Sequence, residues 1–339
     1  MFKYIALCLF YISCAEIIFS QSRPLPVIDM HLHAQHVKKG DGAPLCIGAP
    51  FHTLGINDPQ QDYSRTFQEA LKSNQWADRS LPAPGSDDSL RMQTIALLKK
   101  HNVYAVTSGD PELISQWQQE VPDRIIPSLY WDFNSAQRLG LTVDSLEKLF
   151  RSGSFKVLGE VTIQYEGYSP SDTLFEPYLA LAERLDIPVG IHIGCGPPGA
   201  PYLGSAGYRA RLHSALGLEE ALIRHPRLRI YAMHAGWPML DDMLAVMYTH
   251  PQLYVDLAAI CFMIPKNEFY YYLGRLVNAG FGQRIMFGSD NMIWPQAITA
   301  GIDAINKAPF LNAKQKRDIL FNNAARFLRL SDETIRKMQ

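Results

Sequence analysis

The chain has 339 residues, of which 47% are hydrophobic and 19% are charged, with a formal net charge of −1. This length allows either one domain of barrel size or two ordinary domains, each with a large buried core. The balanced charge offers no basic excess for nucleic acid and no charged block of the kind that stays disordered. We therefore expect a compact enzyme or binding protein that takes no nucleic-acid partner.

The first twenty residues form an apolar leader. Lys3 precedes the apolar residues 4–12, and Glu16 interrupts the segment before a second apolar group at residues 17–19. A membrane-spanning helix needs about 20 apolar residues, so this segment is too short and too interrupted for an anchor. We interpret residues 1–20 as a signal peptide. The mature protein is then secreted or periplasmic, without stable insertion in a membrane.

The cleavage site within this leader has two candidates. Ser13-Cys14-Ala15 has the small-x-small pattern, whereas Ser20 directly precedes the polar segment. Residues 11–14 are also similar to a bacterial lipoprotein box, with Tyr in place of the usual Leu. A lipid anchor at Cys14 and an unprocessed leader are therefore the alternatives.

Three cysteines remain after the leader, namely Cys46, Cys195 and Cys261. Their number is odd and no CxxC spacing occurs, so we expect neither a disulfide framework nor a zinc–cysteine site. Cys261 lies in an apolar stretch typical of a core. Cys195 follows a predicted strand, where it could line a pocket.

From residue 25 onward, short β-rich runs alternate with helical patterns. The predicted strands are residues 26–33, 103–107, 124–131, 156–163, 188–193, 229–234, 253–258 and 284–288. The predicted helices are residues 66–73, 88–100, a helix after Pro111, 143–151, 174–185 with Asp172 or Thr173 as cap, 209–224, 239–248, 266–278, 296–307 and 313–328.

This alternation predicts the fold. Strands that alternate with helices form parallel sheets, and eight such units in about 300 residues fit a (β/α)8 TIM barrel. We expect one α/β domain over residues 25–330, with an open doubly wound sheet as the alternative. Residues 34–86 break the rhythm and are rich in Gly, Pro, Asn, Asp and Gln. A loop of this length is often functional.

The segment from Gly194 to Gly199 matches the G-x-G-x-x-G pattern of dinucleotide-binding proteins. In those proteins the motif opens a helix whose N–H groups hold a pyrophosphate. Pro197, Pro198 and Pro201 remove N–H donors and prevent a helix from starting here. We predict a rigid loop instead of a cofactor site.

Side chains that could bind metal fall at the carboxyl ends of the predicted strands. His31 and His33 close the first strand, where residues i and i+2 share one face. The other candidates each follow an apolar run, and they are Glu160, His192, His234 and Asp290. The active site of a TIM barrel is built from these strand ends, so we expect the six side chains to meet there.

The chemistry of this set favours a transition metal. Imidazole and carboxylate ligands suit zinc, manganese or iron, and six ligands exceed the needs of one tetrahedral ion. A pair of ions bridged by Glu160 would use them all. Taken singly, Glu160 could pair with an arginine, His234 could be a core histidine and Asp290 could cap a turn. His101, His225 and His250 lie at predicted helix ends and are interpreted as structural.

Several motifs occur in a fixed order along the chain. They are Ile28-Asp29-Met30-His31-Leu32-His33, Gly159-Glu160-Val161, Ile191-His192-Ile193, His234-Ala235-Gly236, Phe287-Gly288-Ser289-Asp290 and Asn323-Ala324-Ala325-Arg326-Phe327-Leu328. This set resembles the amidohydrolase superfamily, in the branch related to decarboxylases and lactonases, and it spans residues 27–328. Many members of that superfamily carry a carbamylated lysine on the fourth strand. Glu160 stands there in this chain, as in members that bridge their metals with Glu.

The resemblance implies a mechanism with one or two divalent ions, zinc being expected and manganese or iron being alternatives. His31, His33 and Asp290 would hold one ion, and His192 and His234 the second, with Glu160 between them. Bound ions lower the pKa of water from 15.7 to roughly 7 and thereby supply hydroxide. Asp290 would carry the proton to the leaving group, with His234 as the second candidate.

The expected substrate is a small molecule with an amide, ester or lactone carbonyl. The alternatives are a metal-dependent decarboxylase or hydratase acting on a small carboxylic acid, and a secreted protein that binds metal without turnover. Candidates for substrate contacts are His52, Trp131, Tyr165, Cys195, Tyr202, Arg209, Arg211, His213, Trp237, Asn291 and Trp294. Arg209 or Arg211 could clamp a carboxylate, although a surface arginine is the alternative for each.

The leader generates a first testable prediction. Mature protein from its native host should begin between about residues 14 and 23, since signal peptides are removed on export. Intact-mass measurement and N-terminal sequencing check this expectation. Met1 retained on soluble cytosolic protein would contradict export, whereas a lipid on Cys14 would select the lipoprotein alternative.

Overall fold

A computed structural model describes residues 24–37, 45–46, 57–72 and 80–339 of the chain, and the side chains of residues 45–46 and 70–72 are not included. The predicted leader over residues 1–20, Cys14 and His52 lie outside the described residues. None of the helices in the described part combines the length and the apolar character that crossing a bilayer requires.

Eight parallel strands form the centre of the fold and confirm the predicted barrel. Each of the first seven pairs with the strand that follows it in the barrel, as expected for repeated βα units. The strands are β1 Val27–Ala34, β2 Val103–Gly109, β3 Ile125–Trp131, β4 Val157–Val161, β5 Val189–His192, β6 Ile230–Met233, β7 Tyr254–Asp256 and β8 Ile285–Met286. A separate short ribbon pairs Leu45–Cys46 with Ser80–Leu81 in antiparallel fashion.

Two backbone hydrogen bonds join the last strand region to the first. The N–H of Met30 donates to the carbonyl of Phe287 at 2.9 Å, and the N–H of Asp290 donates to the carbonyl of His31 at 2.6 Å. The eight strands therefore enclose an interior, and the alternative of an open doubly wound sheet is wrong.

Helices follow the strands as predicted, and their starts agree with local capping chemistry. Ser86, Asp110 and Thr142 each accept a backbone N–H from the first turn of the helix that follows. The helices are α1 Tyr63–Lys72, α2 Asp87–Lys100, α3 Pro111–Glu120, α4 Phe133–Leu139, α5 Val143–Arg151, α6 Glu176–Leu185, α7 Glu219–Arg224, α8 Leu240–Thr249, α9 Ile260–Met263, α10 Lys266–Leu276, α11 Ala297–Asn306, α12 Ala313–Arg317, α13 Asn323–Phe327 and α14 Asp332–Met338.

Two helix predictions need correction. The predicted helix over residues 209–224 is broken at Ser214, whose extended backbone separates two 3-10 turns ahead of α7. The Ser214 hydroxyl donates to Asp242 at 2.6 Å and accepts the N–H of Leu216, so side-chain bonding competes with the helix here. Neither Asp172 nor Thr173 caps α6, because that helix begins after Phe175.

The loop from Gly194 to Gly199 does not open an α-helix, in agreement with the prediction. The N–H of Cys195 donates to the carbonyl of Trp237 at 2.9 Å. The N–H of Gly196 donates to the hydroxyl of Tyr208 at 3.0 Å. Backbone donors of this loop are thus used within the protein.

Strands β1 and β4 each contain one extra residue relative to the strand with which they pair, and this changes which side chains face the barrel interior. Between Asp29 and Leu32, β1 advances three residues while β2 advances two. Between Leu158 and Val161, β4 advances three residues while β5 advances two. One extra residue changes which face a side chain occupies, so these bulges lie where candidate ligands must point inward.

The barrel interior directly beneath the candidate ligands, here called the floor of the site, has room only for residues without a side chain at Gly159 and Gly190. A Cβ atom on Gly190 would lie 2.4 Å from the Tyr231 ring, and a Cβ on Gly159 would lie 3.1 Å from the Gly190 backbone. Tyr231 is fully buried and its hydroxyl donates to the carbonyl of Met30 at 3.2 Å. The ring therefore has little room to move aside.

This packing predicts that Gly190→Ala lowers the free energy of unfolding by about 1–3 kcal/mol, the usual cost of overpacking a core. Urea unfolding measures the loss. Gly85→Ala is the matched control, because a Cβ there meets no atom within 4 Å. Equal stability of the two variants would show that the floor can relax around the added methyl group.

Candidate metal centre

Six side chains meet at the carboxyl-terminal mouth of the barrel. His31 and His33 lie in β1, Glu160 lies in β4 and His192 ends β5. His234 directly follows β6, and Asp290 lies four residues after β8. All six are between 1% and 7% exposed, so their polar atoms face one another with little access to water. These are the six positions that the sequence predicted as metal ligands.

Glu160 lies at the centre of the group, and its two carboxylate oxygens face different histidine pairs. Oε2 lies 3.5 Å from Nε2 of His31 and 3.6 Å from Nε2 of His33. Oε1 lies 2.6 Å from Nδ1 of His192 and 3.5 Å from Nε2 of His234. The carboxylate is thus shared between the histidine pair in β1 and a second pair at the ends of β5 and β6.

Asp290 is the second carboxylate that approaches these histidines. Its Oδ1 is 3.1 Å from Nε2 of His33, and its Oδ2 is 3.9 Å from Nδ1 of His234. The Nδ1 atom of His234 also lies 3.0 Å from the carbonyl of Ala258. Asp290 therefore lies within 4 Å of at least one histidine in each pair.

The opposite charges in the cluster stabilise one another, and this shifts the pKa of each group. Burial alone would lower the pKa of His31, but the carboxylates of Asp290 and Glu160 raise that pKa well above its usual value. Burial would raise the pKa of Glu160, yet His31, His192 and His234 hold it well below the usual value. Burial also disfavours the charged form of Asp290, but His31 and His33 lower its pKa to about 2. Both carboxylates are therefore ionised at neutral pH.

The donor set fits a divalent transition metal. The ligand atoms of His31, His33 and Glu160 lie within 4.8 Å of one another, as do those of Glu160, His192 and His234. Buried nitrogen and carboxylate donors in this proximity suit zinc, manganese or iron. A cation bound there would replace the proton that the carboxylates hold on His31.

Two further carboxylates brace the candidate ligands, and the sequence analysis did not assign them a role. An oxygen of Asp29 accepts the N–H groups of His31 at 3.0 Å and of Ser289 at 2.9 Å. An oxygen of Asp256 accepts the N–H of His234 at 2.8 Å and of Ala258 at 3.0 Å. A carboxylate inside a buried strand needs such partners, which is the sequence signal that could have identified both.

Backbone conformation at two candidate ligands is unusual. His234 has φ of 61° and Asp290 has φ of 47°, both in the left-handed region that non-glycine residues seldom adopt. Residues held in this way cost about 1–3 kcal/mol each and cluster at functional sites. The Asp256 contact to the His234 N–H and the bond from the Asp290 N–H to the His31 carbonyl hold these conformations.

A cavity of about 820 Å³ opens over the cluster. His33, Glu160, His192 and Asp290 form part of its described lining. Its outer wall includes Gln35, Tyr130, Asp132, Phe133, Tyr165 and Glu166. This space can hold a small organic molecule against the four candidate ligands that line it.

Tyr165 is the predicted substrate residue that lines this cavity, with its hydroxyl 3.4 Å from Nε2 of His192. Asn291 instead holds the backbone of His33, since its side-chain oxygen accepts the His33 N–H at 2.7 Å. His213 is fully buried between the rings of Tyr165 and Tyr208. Burial lowers the pKa of His213 to about 3, so its imidazole is neutral.

The remaining described candidates lie outside the cavity lining. Arg209 and Arg211 are exposed, and the guanidinium of Arg209 donates to nearby backbone carbonyls. Trp131 packs in the core, and Trp237 donates to Glu268. The others are Cys195, Tyr202 and Trp294.

The three histidines interpreted as structural lie at helix ends, as predicted. His101 contacts Thr299 at 3.0 Å, and His225 contacts Glu176 at 2.7 Å. His250 lies 3.4 Å from Glu219. None of the three contributes to the described groups that could hold a metal ion.

Comparison with known families agrees with this architecture. The Amidohydrolase family profile matches residues 28–330, so the chain belongs to the amidohydrolase family. A search of curated proteins finds no match.

Solved structures share the fold at low sequence identity. An uncharacterised TIM-barrel protein from Bordetella bronchiseptica has a TM-score of 0.58 and 15% identity, covering 90% of this chain and 99% of its own. A 2,6-dihydroxybenzoate decarboxylase from Rhizobium has a TM-score of 0.54 and 14% identity, with coverage of 90% and 99%. An Acinetobacter baumannii protein named "probable 2-pyrone-4,6-dicarboxylic acid hydrolase" has a TM-score of 0.55 and 14% identity, with coverage of 90% and 100%.

The bracing role of Asp256 predicts a loss of stability on its removal. Asp256→Ala leaves two buried N–H groups without an acceptor and should cost about 1–3 kcal/mol for each. Asp256→Asn keeps one acceptor oxygen and should retain much of the stability. Urea unfolding of the metal-free protein compares them with Asp303→Ala, which removes an exposed ion pair with Lys307. An Asp256→Ala variant as stable as the Asp303→Ala control would rule out the brace.

Proposed function

We propose that this protein is a metal-dependent hydrolase that attacks an amide, ester or lactone carbonyl. The observation that carries the proposal is the division of the Glu160 carboxylate between two histidine pairs. A carboxylate shared in this way can bridge two ions, and two-metal sites are suited to hydrolysis. Membership of the amidohydrolase family supports an enzyme with this general chemistry.

The ligands divide into two sets in this proposal. His31, His33 and Asp290 would hold one ion, His192 and His234 would hold the other, and Glu160 would belong to both sets. Zinc is the expected metal, with manganese or iron as alternatives. Bound ions would supply Lewis acidity to the carbonyl and acidify a water molecule.

Asp290 moves the proton in the proposed reaction. Its buried carboxylate lines the cavity and contacts His33 and His234, so it can accept a proton from water and return it to the leaving group. His234 is the second candidate for this role, because it also faces the central carboxylate.

The alternative is a metal-dependent decarboxylase or hydratase acting on a small carboxylic acid. Fold neighbours named as decarboxylases support this alternative, while other fold neighbours are named as hydrolases. A panel of esters, lactones, amides and aromatic carboxylic acids separates the two reactions, since one releases an acid and the other carbon dioxide. The leader favours a site of action outside the cytoplasm, and this too remains a proposal.

The two-set arrangement predicts how metal content depends on Glu160. Wild-type protein should contain one to two ions per chain by elemental analysis, and chelation should abolish activity. Glu160→Gln removes the charge shared between the two sets, so metal content should fall and activity with it. Glu183→Gln is the control, because Glu183 contacts His225 away from the centre. A Glu160→Gln variant with full metal content and activity would exclude a bridging role.

The role of Asp290 can be separated from ligation. Asp290→Asn should lower kcat by roughly 10²-fold or more, the scale of lost acid–base catalysis, because an amide cannot accept the proton. Metal should remain bound, since the amide oxygen can still contact an ion. His31→Ala should instead lose metal and activity together. Near-normal turnover by Asp290→Asn with metal bound would transfer the proton role to His234.

A further inference from the structure

We infer that the substrate presents hydroxyl or amine donors to the outer wall of the cavity and carries no carboxylate there. The inference rests on the proposed function, which it narrows from a reaction type to a substrate class. It comes from the residues of the cavity wall beyond the candidate metal ligands.

The charged side chains of the described lining beyond the two histidines are all acidic. Glu160 and Asp290 belong to the metal centre, whereas Asp132 and Glu166 lie on the outer wall. Neither lysine nor arginine occurs among the lining residues that the structure describes. A carboxylate substrate is usually held by a guanidinium or an ammonium group, and this part of the wall offers neither.

The two outer carboxylates are held in fixed positions at the start of helix α4. One oxygen of Asp132 accepts the N–H of Ser135, and the other accepts the hydroxyl of Tyr130 at 2.8 Å. The two oxygens of Glu166 accept the N–H groups of Phe133 and Asn134, each at 2.9 Å. Both side chains are therefore oriented before any ligand arrives.

This arrangement also removes the attraction that the start of helix α4 would have for an anion. The free N–H groups at a helix start would ordinarily favour negative charge. In α4 the chain's own carboxylates already occupy the N–H groups of Phe133, Asn134 and Ser135. A substrate carboxylate reaching this wall would meet two fixed negative charges and no unused donor from this turn.

A substrate with donors finds matching groups. Each ionised carboxylate has about four acceptor positions, so Asp132 and Glu166 can accept further hydrogen bonds. Tyr165 and Tyr168 also line the cavity, and aromatic rings can pack against a carbon skeleton or attract an ammonium group. The wall is thus suited to a neutral polyhydroxy compound or an amine. The named substrate of one fold neighbour, a pyrone dicarboxylic acid, has the opposite character.

The test uses esters of one acyl scaffold that differ only in the distal group, which is hydroxymethyl, aminomethyl, ethyl or carboxylate. With metal-loaded protein, kcat/KM for the hydroxyl or amine ester should exceed that for the ethyl ester by at least about tenfold, the scale of one hydrogen bond to a charged group. The carboxylate ester should be the poorest substrate. A preference for the carboxylate ester would overturn the inference while leaving the hydrolase proposal intact.

A charge variant locates the effect in this wall. Gln137 is exposed and lines the cavity, so Gln137→Arg introduces a cation there without disturbing the core. It should raise kcat/KM for the carboxylate ester about tenfold relative to the amine ester. Gln119→Arg adds the same charge on α3 outside the lining and should leave the ratio unchanged. An unchanged ratio in Gln137→Arg would refute the role of this wall.

Binding provides a readout that does not depend on hydrolysis. Non-hydrolysable ethers with the same four distal groups can be titrated calorimetrically into metal-loaded protein. Tighter binding of the hydroxyl or amine ether than of the carboxylate ether supports the inference even if no ester is hydrolysed. Tighter binding of the carboxylate ether, or equal binding of all four, overturns it. Absence of hydrolysis across the panel counts against the proposed function alone.

Discussion

The buried carboxylate of Glu160 among four histidines is the interaction on which the mouth of the barrel depends. A charge removed from water costs several kcal/mol unless partners compensate it, and here imidazoles approach both carboxylate oxygens. The compensation is mutual, because the same carboxylate and Asp290 keep His31 charged despite its burial. The attraction between these buried, opposite charges therefore helps to hold the strand ends together. The further carboxylates of Asp29 and Asp256 fix the backbone around this cluster by accepting N–H groups.

The same cluster explains why the strands are irregular where they are. Regular alternation would place successive side chains of β1 and β4 on opposite faces, with no freedom to adjust near the mouth. The extra residue in each strand allows apolar residues lower down, such as Ile28 and Met30, and the candidate ligands above them to share the interior. Because Gly159 and Gly190 lack a Cβ atom, the floor of the site leaves room for the Tyr231 ring. The strands β1 and β4 thus depart from regular pairing near the point where the candidate ligands converge.

Most of the fold follows from the sequence, because alternation of β-rich and helical patterns is a local property. The eight strands and their parallel order were predictable for this reason, as was the meeting of His31, His33, Glu160, His192, His234 and Asp290 at one end. The break at Ser214 was not, because it depends on a hydrogen bond to Asp242 in a distant helix. The brace at Asp256 and the acidic wall of Asp132 and Glu166 also depend on contacts between separate βα units. Periodicity carries no information about such contacts, although a carboxylate within an apolar strand was a signal that could have been used.

The hydrogen bonds that join β1 to the segment after β8 have a consequence for how the protein is made. His31 and Asp290 lie on either side of this junction, 259 positions apart in the chain, and the N–H of one contacts the carbonyl of the other. A growing polypeptide emerging from the ribosome therefore lacks part of the cluster until nearly all of it has been synthesised. Selective binding of a metal ion by these side chains would accordingly require almost the whole chain to be synthesised and the barrel to be closed.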